Sequence, residues 1–79
     1  MPDVSELIRY MASQVVDQPQ EVRVSLRRGT ELAYLIQVAP GEEGRVIGKQ
    51  GRIIHAMRTL ARAASDQKDR LQVDVATPR

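Results

Sequence analysis

The sequence predicts a two-layer α+β fold: one three-stranded mixed sheet with helices packed on one face. Three observations lead there. Two stretches alternate apolar and polar residues on either side of a glycine turn, the pattern of an antiparallel hairpin. A third alternating stretch near the C-terminus follows two helical segments, so it returns to the sheet by a crossover and pairs in parallel. Finally, 79 residues and 8.8 kDa leave room for one domain, spanning 1–79, with a small core.

The elements follow in order. Asp3-x-x-Glu6 has the form of a capping box, and Val4, Leu7, Ile8, Met11 and Val15 recur at helical spacing. These residues predict a helix over about 4–17, stopped by Asp17-Gln18-Pro19. Val22, Val24 and Leu26 alternate with Arg23, Ser25 and Arg27, giving a strand with one buried and one wet face. Arg28-Gly29-Thr30 makes a tight turn. Leu32, Tyr34, Ile36 and Val38 then alternate again, while Ala33 and Leu35 make the second face apolar, as suits a strand with neighbours on both sides.

Ala39-Pro40-Gly41 ends that strand, and Glu42 and Glu43 stand where a short helix begins, well placed for its dipole. Gly48-Lys49-Gln50-Gly51 interrupts the helix after about Ile47, and a longer one covers about 52–64. Its wheel sets Ile53, Met57, Leu60, Ala61 and Ala64 on a core face, and Arg52, His55, Arg58, Thr59 and Arg62 on a basic face. After a charged loop over 65–70, Leu71, Val73 and Val75 form the last strand before Pro78. The order is α-β-β-α-α-β.

Composition narrows the function. There is no cysteine and one histidine, which removes disulfides, thiolate nucleophiles and thiolate metal sites, and argues against structural zinc. No apolar run approaches a membrane span, and Met1-Pro2-Asp3 lacks a signal-peptide opening, so the expectation is a cytoplasmic protein. The net charge is only +2, but it is unevenly spread. Between Gly44 and Ser65 there is no acid, while Arg45, Lys49, Arg52, Arg58 and Arg62 contribute +5. The other seven cations face ten acids, leaving −3 elsewhere. A basic stretch on a mildly acidic background is the outline of a polyanion binder. The only aromatic residues are Tyr10 and Tyr34, so bases cannot be held on an aromatic platform.

The chemistry concentrates in Val46-Ile47-Gly48-Lys49-Gln50-Gly51-Arg52-Ile53-Ile54. Two glycines three apart let the backbone turn sharply between helices and approach a ligand without a Cβ in the way. The amides opening the next helix point outward and carry the positive end of its dipole, an anion site. Lys49 and Arg52 add charge, and Ile47 supplies an aliphatic wall for a base.

The run Val46-Ile47-Gly48-x-x-Gly51-x-x-Ile54 resembles the signature of KH domains, whose GXXG loop clamps about four nucleotides. The element order resembles the prokaryotic, type II arrangement, and the stretch from Val38 to Arg52 is similar to the small stand-alone bacterial KH proteins of the KhpA family. The resemblance implies that Gly48, Lys49, Gln50 and Gly51 clamp phosphates, with Arg45 and Arg52 flanking them. It also makes Ile47 the base contact and extends the basic edge through His55 and Arg58. The loop over 65–70 corresponds to the family's variable loop, but here it is short and carries Asp66 and Asp69. The implied partner is single-stranded RNA, bound by a post-transcriptional regulator or RNA chaperone. Self-association as a homodimer, or a heterodimer with a larger KH-containing protein, would hold two grooves together. No cofactor, membrane or small-molecule substrate is expected.

Rival readings fail on particular residues. A Walker A loop ending in Gly48-Lys49 needs glycine at 43 and Ser or Thr at 50, where Glu43 and Gln50 stand. A dinucleotide fingerprint needs glycine at 46, where Val46 stands. His55 has no cysteine partner or nearby acid to make it a general base. Glu42/Glu43 and Asp66/Asp69 read as charged loop and helix-start positions rather than catalytic carboxylates. A helix-turn-helix reader would present base-reading polar side chains in a helical or winged frame, not an Arg/Ala helix between strands. The chain reads as a binding protein, not an enzyme. The remaining alternative is a protein-interaction module of KH fold, docking through Met57, Leu60, Ala61 and Ala64 or through the first helix.

Overall fold

The first helix begins where a carboxylate meets its free amides. In the computed structural model, which describes residues 3–66 and 70–76, Asp3 Oδ1 accepts hydrogen bonds from the Ser5 amide at 2.8 Å and the Ser5 hydroxyl at 2.6 Å. These two bonds lower the Asp3 carboxyl pKa below its ordinary value. Glu6 does not complete the expected capping box; it pairs with Arg9 at 2.6 Å. Helix α1 runs Ser5–Ser13 and stops short of the expected end near 17. Gln14 and Val15 tighten into three-residue turns, their amides donating to the Met11 and Ala12 carbonyls at 3.2 Å. The amides of Asp17 and Gln18 then turn to the Glu42 carboxylate. The helix thus ends in the turns at Gln14 and Val15, and the breaker residues Asp17 and Gln18 are held by a long-range acceptor.

Glu42 is therefore more than a helix-start charge. It is 6% exposed, and its two oxygens stitch the exit of α1 to the segment opening α2. A short 3-10 turn, Pro19–Glu21, leads into β1, Arg23–Arg28. Strand β2, Leu32–Gln37, pairs with it antiparallel, Arg23 opposite Gln37 through Arg28 opposite Leu32. Helices α2, Glu43–Ile47, and α3, Arg52–Ala64, follow, and β3, Leu71–Val75, pairs parallel to β2 with Leu32 opposite Leu71. The sheet order β1-β2-β3 makes β2 central, as its two apolar faces predicted. The expected variable-loop residues 67–69, with Asp69, lie outside the described residues, as do Met1-Pro2 and Pro78.

Alternation sorts the sheet into two faces. Tyr34, Ile36, Leu71 and Val73 point inward and are buried with Ile8 and Ala12 of α1, Val46 of α2, and Met57 and Ala61 of α3. The Tyr34 hydroxyl donates to Asp3 Oδ1 and accepts from the Val4 amide, both at 3.3 Å, tying the central strand to the start of α1. Burial pushes the Tyr34 pKa above its ordinary value. Leu35, on the opposite face, remains 38% exposed. No helix among the described residues is long and apolar enough to cross a membrane.

The wheel of α3 needs one correction. Leu60, expected in the core, is 54% exposed, and Ala64 is exposed too. Arg58 and Arg62, expected on the open basic face, are half-buried. The inward arc is turned toward Arg58, so that the two arginines lie over β3. Hydropathy cannot register this, because an arginine stem covers apolar surface while its guanidinium finds polar partners.

Candidate nucleic-acid interface

Two helices too close in sequence for an ordinary loop meet at Gly48–Gly51. Helix α2 ends on Gly48, whose amide donates to the Gly44 carbonyl at 2.8 Å, with φ 79° and ψ 173°. Only glycine occupies that region readily. A Cβ there would sit 2.6 Å from Ile53 Cγ1 and 2.9 Å from the Ile53 amide nitrogen. Lys49–Gly51 form one 3-10 turn in which Gln50 (φ 57°) and Gly51 (φ 74°) are also left-handed. The Gly51 amide closes the turn on the Gly48 carbonyl at 3.1 Å.

Helix α3 starts directly from Gly51 with no side-chain cap and no acid in its first turn. Its thirteen residues carry a positive N-terminal end that no side-chain cap or first-turn acid among the described residues neutralises. Lys49, Gln50 and Arg52 are exposed around it, and Ile47, the last residue of α2, is half-buried beside it. Lys49 and Arg52 make no ion pair among the described residues. His55 is exposed one turn further along α3. These residues come together as a single cationic corner over an aliphatic wall.

Two predicted residues have other ties. Arg45 Nη2 lies 3.1 Å from Asp17 Oδ2, and its Nε lies 4.0 Å from Glu42 Oε1, so part of its charge is already balanced. Arg58 faces away from the loop. Its Nη2 donates to the Val73 carbonyl at 2.9 Å and sits 3.9 Å from Asp74 Oδ1. Arg62 does the same one turn on, its Nε donating to the Leu71 carbonyl at 3.1 Å. Both acceptors lie on the outer edge of an edge strand, where carbonyls otherwise lack partners. The two arginines thus fasten α3 to β3. Glu42 is an i,i+3 neighbour of Arg45, but Asp17 and Asp74 are too distant in sequence from Arg45 and Arg58 for any local pattern to have paired them.

Arg58→Ala is expected to cost about 1–2 kcal/mol of stability, through the lost hydrogen bond and the lost cover of its stem. Urea unfolding measures it. An unchanged midpoint would return Arg58 to the open basic edge.

A two-layer α+β fold whose helix pair is joined by a GXXG turn, with the third strand parallel to the second, is a KH domain of the type II order. The chain belongs to the KhpA/KhpB KH domain family, which matches residues 5–76. It is 40% identical over 74 residues to the RNA-binding protein KhpA of Caldanaerobacter subterraneus subsp. tengcongensis, covering 91% of this chain and 99% of that one. The KhpA proteins of Clostridium perfringens (40% over 68 residues, 85% and 91% covered) and Listeria monocytogenes (40% over 74 residues, 89% and 97%) are similar to the same degree. Among solved structures, an Era variant from Aquifex aeolicus bound to GDP.AlF4- matches with a TM-score of 0.68 at 17% identity, over 94% of this chain and 31% of that one. That likeness shows a shared fold.

Proposed function

We propose that this protein binds single-stranded RNA through the Gly48–Gly51 turn, as a cytoplasmic post-transcriptional regulator or RNA chaperone rather than a catalyst. We take residues 1–79 to act as one KH domain. The observation that carries the reading is the uncapped start of α3, opened by left-handed Gly48, Gln50 and Gly51 and flanked by Lys49 and Arg52, which make no ion pair among the described residues. Phosphates meet amides and cations there, and Ile47 offers an unstacked base an apolar surface. The relatives named RNA-binding protein KhpA support the same reading.

With about four nucleotides engaged and few side chains suited to base edges, affinity is expected in the micromolar range with modest sequence preference. Lys49 and Arg52 as the two cations at the turn imply a shallow salt dependence, a slope of log K on log salt near about −1.5. Competition between a labelled single-stranded oligonucleotide and a blunt duplex of the same sequence tests it. Tight duplex binding that single strands cannot displace would contradict the reading.

A second reading, compatible with the first, concerns assembly. Tyr10 on α1 is 62% exposed and Leu60 on α3 54%, so the helical layer leaves apolar surface in water. We expect this layer to join a second copy or a larger KH-containing protein, which raises the effective concentration of a second groove. Sedimentation equilibrium over a range of concentrations checks the homodimer. A strict monomer, with one copy per short RNA, would leave the heterodimer alone.

A further inference from the structure

The face of the sheet opposite the helices has a structure of its own. Among the described residues strand β1 is an edge, paired only with β2, and its outward side chains are Arg23, Ser25 and Arg27. Opposite them across the pair stand Gln37, Leu35 and Ala33. Ser25, Leu26, Arg27, Ala33 and Leu35 line a depression of about 380 Å³ on this hairpin, with Leu35 as its exposed apolar floor. Arg23 and Arg27 are exposed, and neither makes an ion pair among the described residues. Arg23 spends its hydrogen bonds on the Gln20 and Val22 carbonyls.

We propose that the β1 edge and its outer face dock an extended acidic segment of a partner protein, added as a fourth strand. The charge pattern selects this occupant. A second copy paired through β1 would bring arginine-bearing strands side by side, which like charge opposes. Nucleic acid held on a sheet face stacks its bases on aromatic side chains. Here the two tyrosines are elsewhere, Tyr34 buried on the inner face and Tyr10 on α1. An added strand meets a free backbone edge, and its alternate side chains fall on the outer face. Arg23, Ser25 and Arg27 alternate at strand spacing, about 7 Å between successive outward positions. The matching segment therefore reads acid-x-aliphatic-x-acid. Its carboxylates meet Arg23 and Arg27, and the aliphatic side chain between them packs against Ser25 at the rim of the depression.

The test is an amide-resolved NMR titration of the 79-residue protein with a blocked heptapeptide, Thr-Glu-Thr-Val-Thr-Glu-Thr. The expected result is saturable shifts confined to residues 23–28 and 33–37. Replacing both glutamates of the peptide by lysine should abolish them. Arg27→Glu and Arg23→Glu, each at an exposed strand position, should weaken binding about tenfold while the remaining amide spectrum stays in place. The proposal is overturned by no saturable shift at millimolar peptide, by equal binding of the lysine peptide, or by shifts centred on 48–54. It is equally overturned if a single-stranded oligonucleotide, and not the peptide, moves the β1 amides. Neither result bears on the clamp, because binding of RNA at 48–54 is read from a separate set of amides.

Discussion

Replacing Lys49 and Gln50 together by Asp is expected to weaken single-stranded RNA binding about a hundredfold with the fold intact. Both side chains are exposed, so stability should stay within about 0.5 kcal/mol. Gln50 is left-handed at φ 57°, a conformation that Asp tolerates better than most residues. The change removes one of the two cations at the turn and sets two carboxylates at the start of α3, where the phosphates are to lie. Fluorescence anisotropy with a short oligonucleotide, beside a urea unfolding curve, separates affinity from stability. Unchanged affinity in a folded double variant would remove the turn from the binding site.

The second large effect is on stability. Gly48→Ala is expected to cost about 3 kcal/mol, because the new Cβ would lie 2.6–2.9 Å from Ile53 in a backbone region that side chains avoid. That is a large fraction of what a domain this small has in hand. Gly51→Ala is the control: φ is 74°, but the nearest atom, Ile54 Cγ2, is 4.0 Å away, so the cost should be about 1–2 kcal/mol. Urea midpoints of the two variants should therefore rank Gly51→Ala above Gly48→Ala. The reverse order would contradict the close approach of Gly48 to Ile53.

These two glycines also show why the turn at the candidate site was legible in the chain. A turn between abutting helices needs backbone freedom, and glycine is the residue that supplies it, so the constraint is written in residue identity. The hairpin, the parallel third strand and the span of α3 were equally readable, because period-2 and period-3.6 patterns are local. What could not be read depends on contacts distant in sequence. Glu42 looked like a charge suiting a helix start, yet its burial follows from the amides of Asp17 and Gln18. Arg58 and Arg62 looked solvated, yet edge carbonyls of β3 turn them inward and leave Leu60 in water. An amphipathic side chain belongs to whichever face offers partners, and a wheel drawn from hydropathy has no partners in it.

The central claim is that phosphates are held at the Gly48–Gly51 turn and the first turn of α3. Amide-resolved NMR titration with a single-stranded hexanucleotide tests it most directly. The amides of residues 48–54 should shift first and farthest, with smaller changes along β3, and all should fade as salt rises. Shifts that leave 48–54 unmoved while RNA is bound, or that are indifferent to salt, would contradict it.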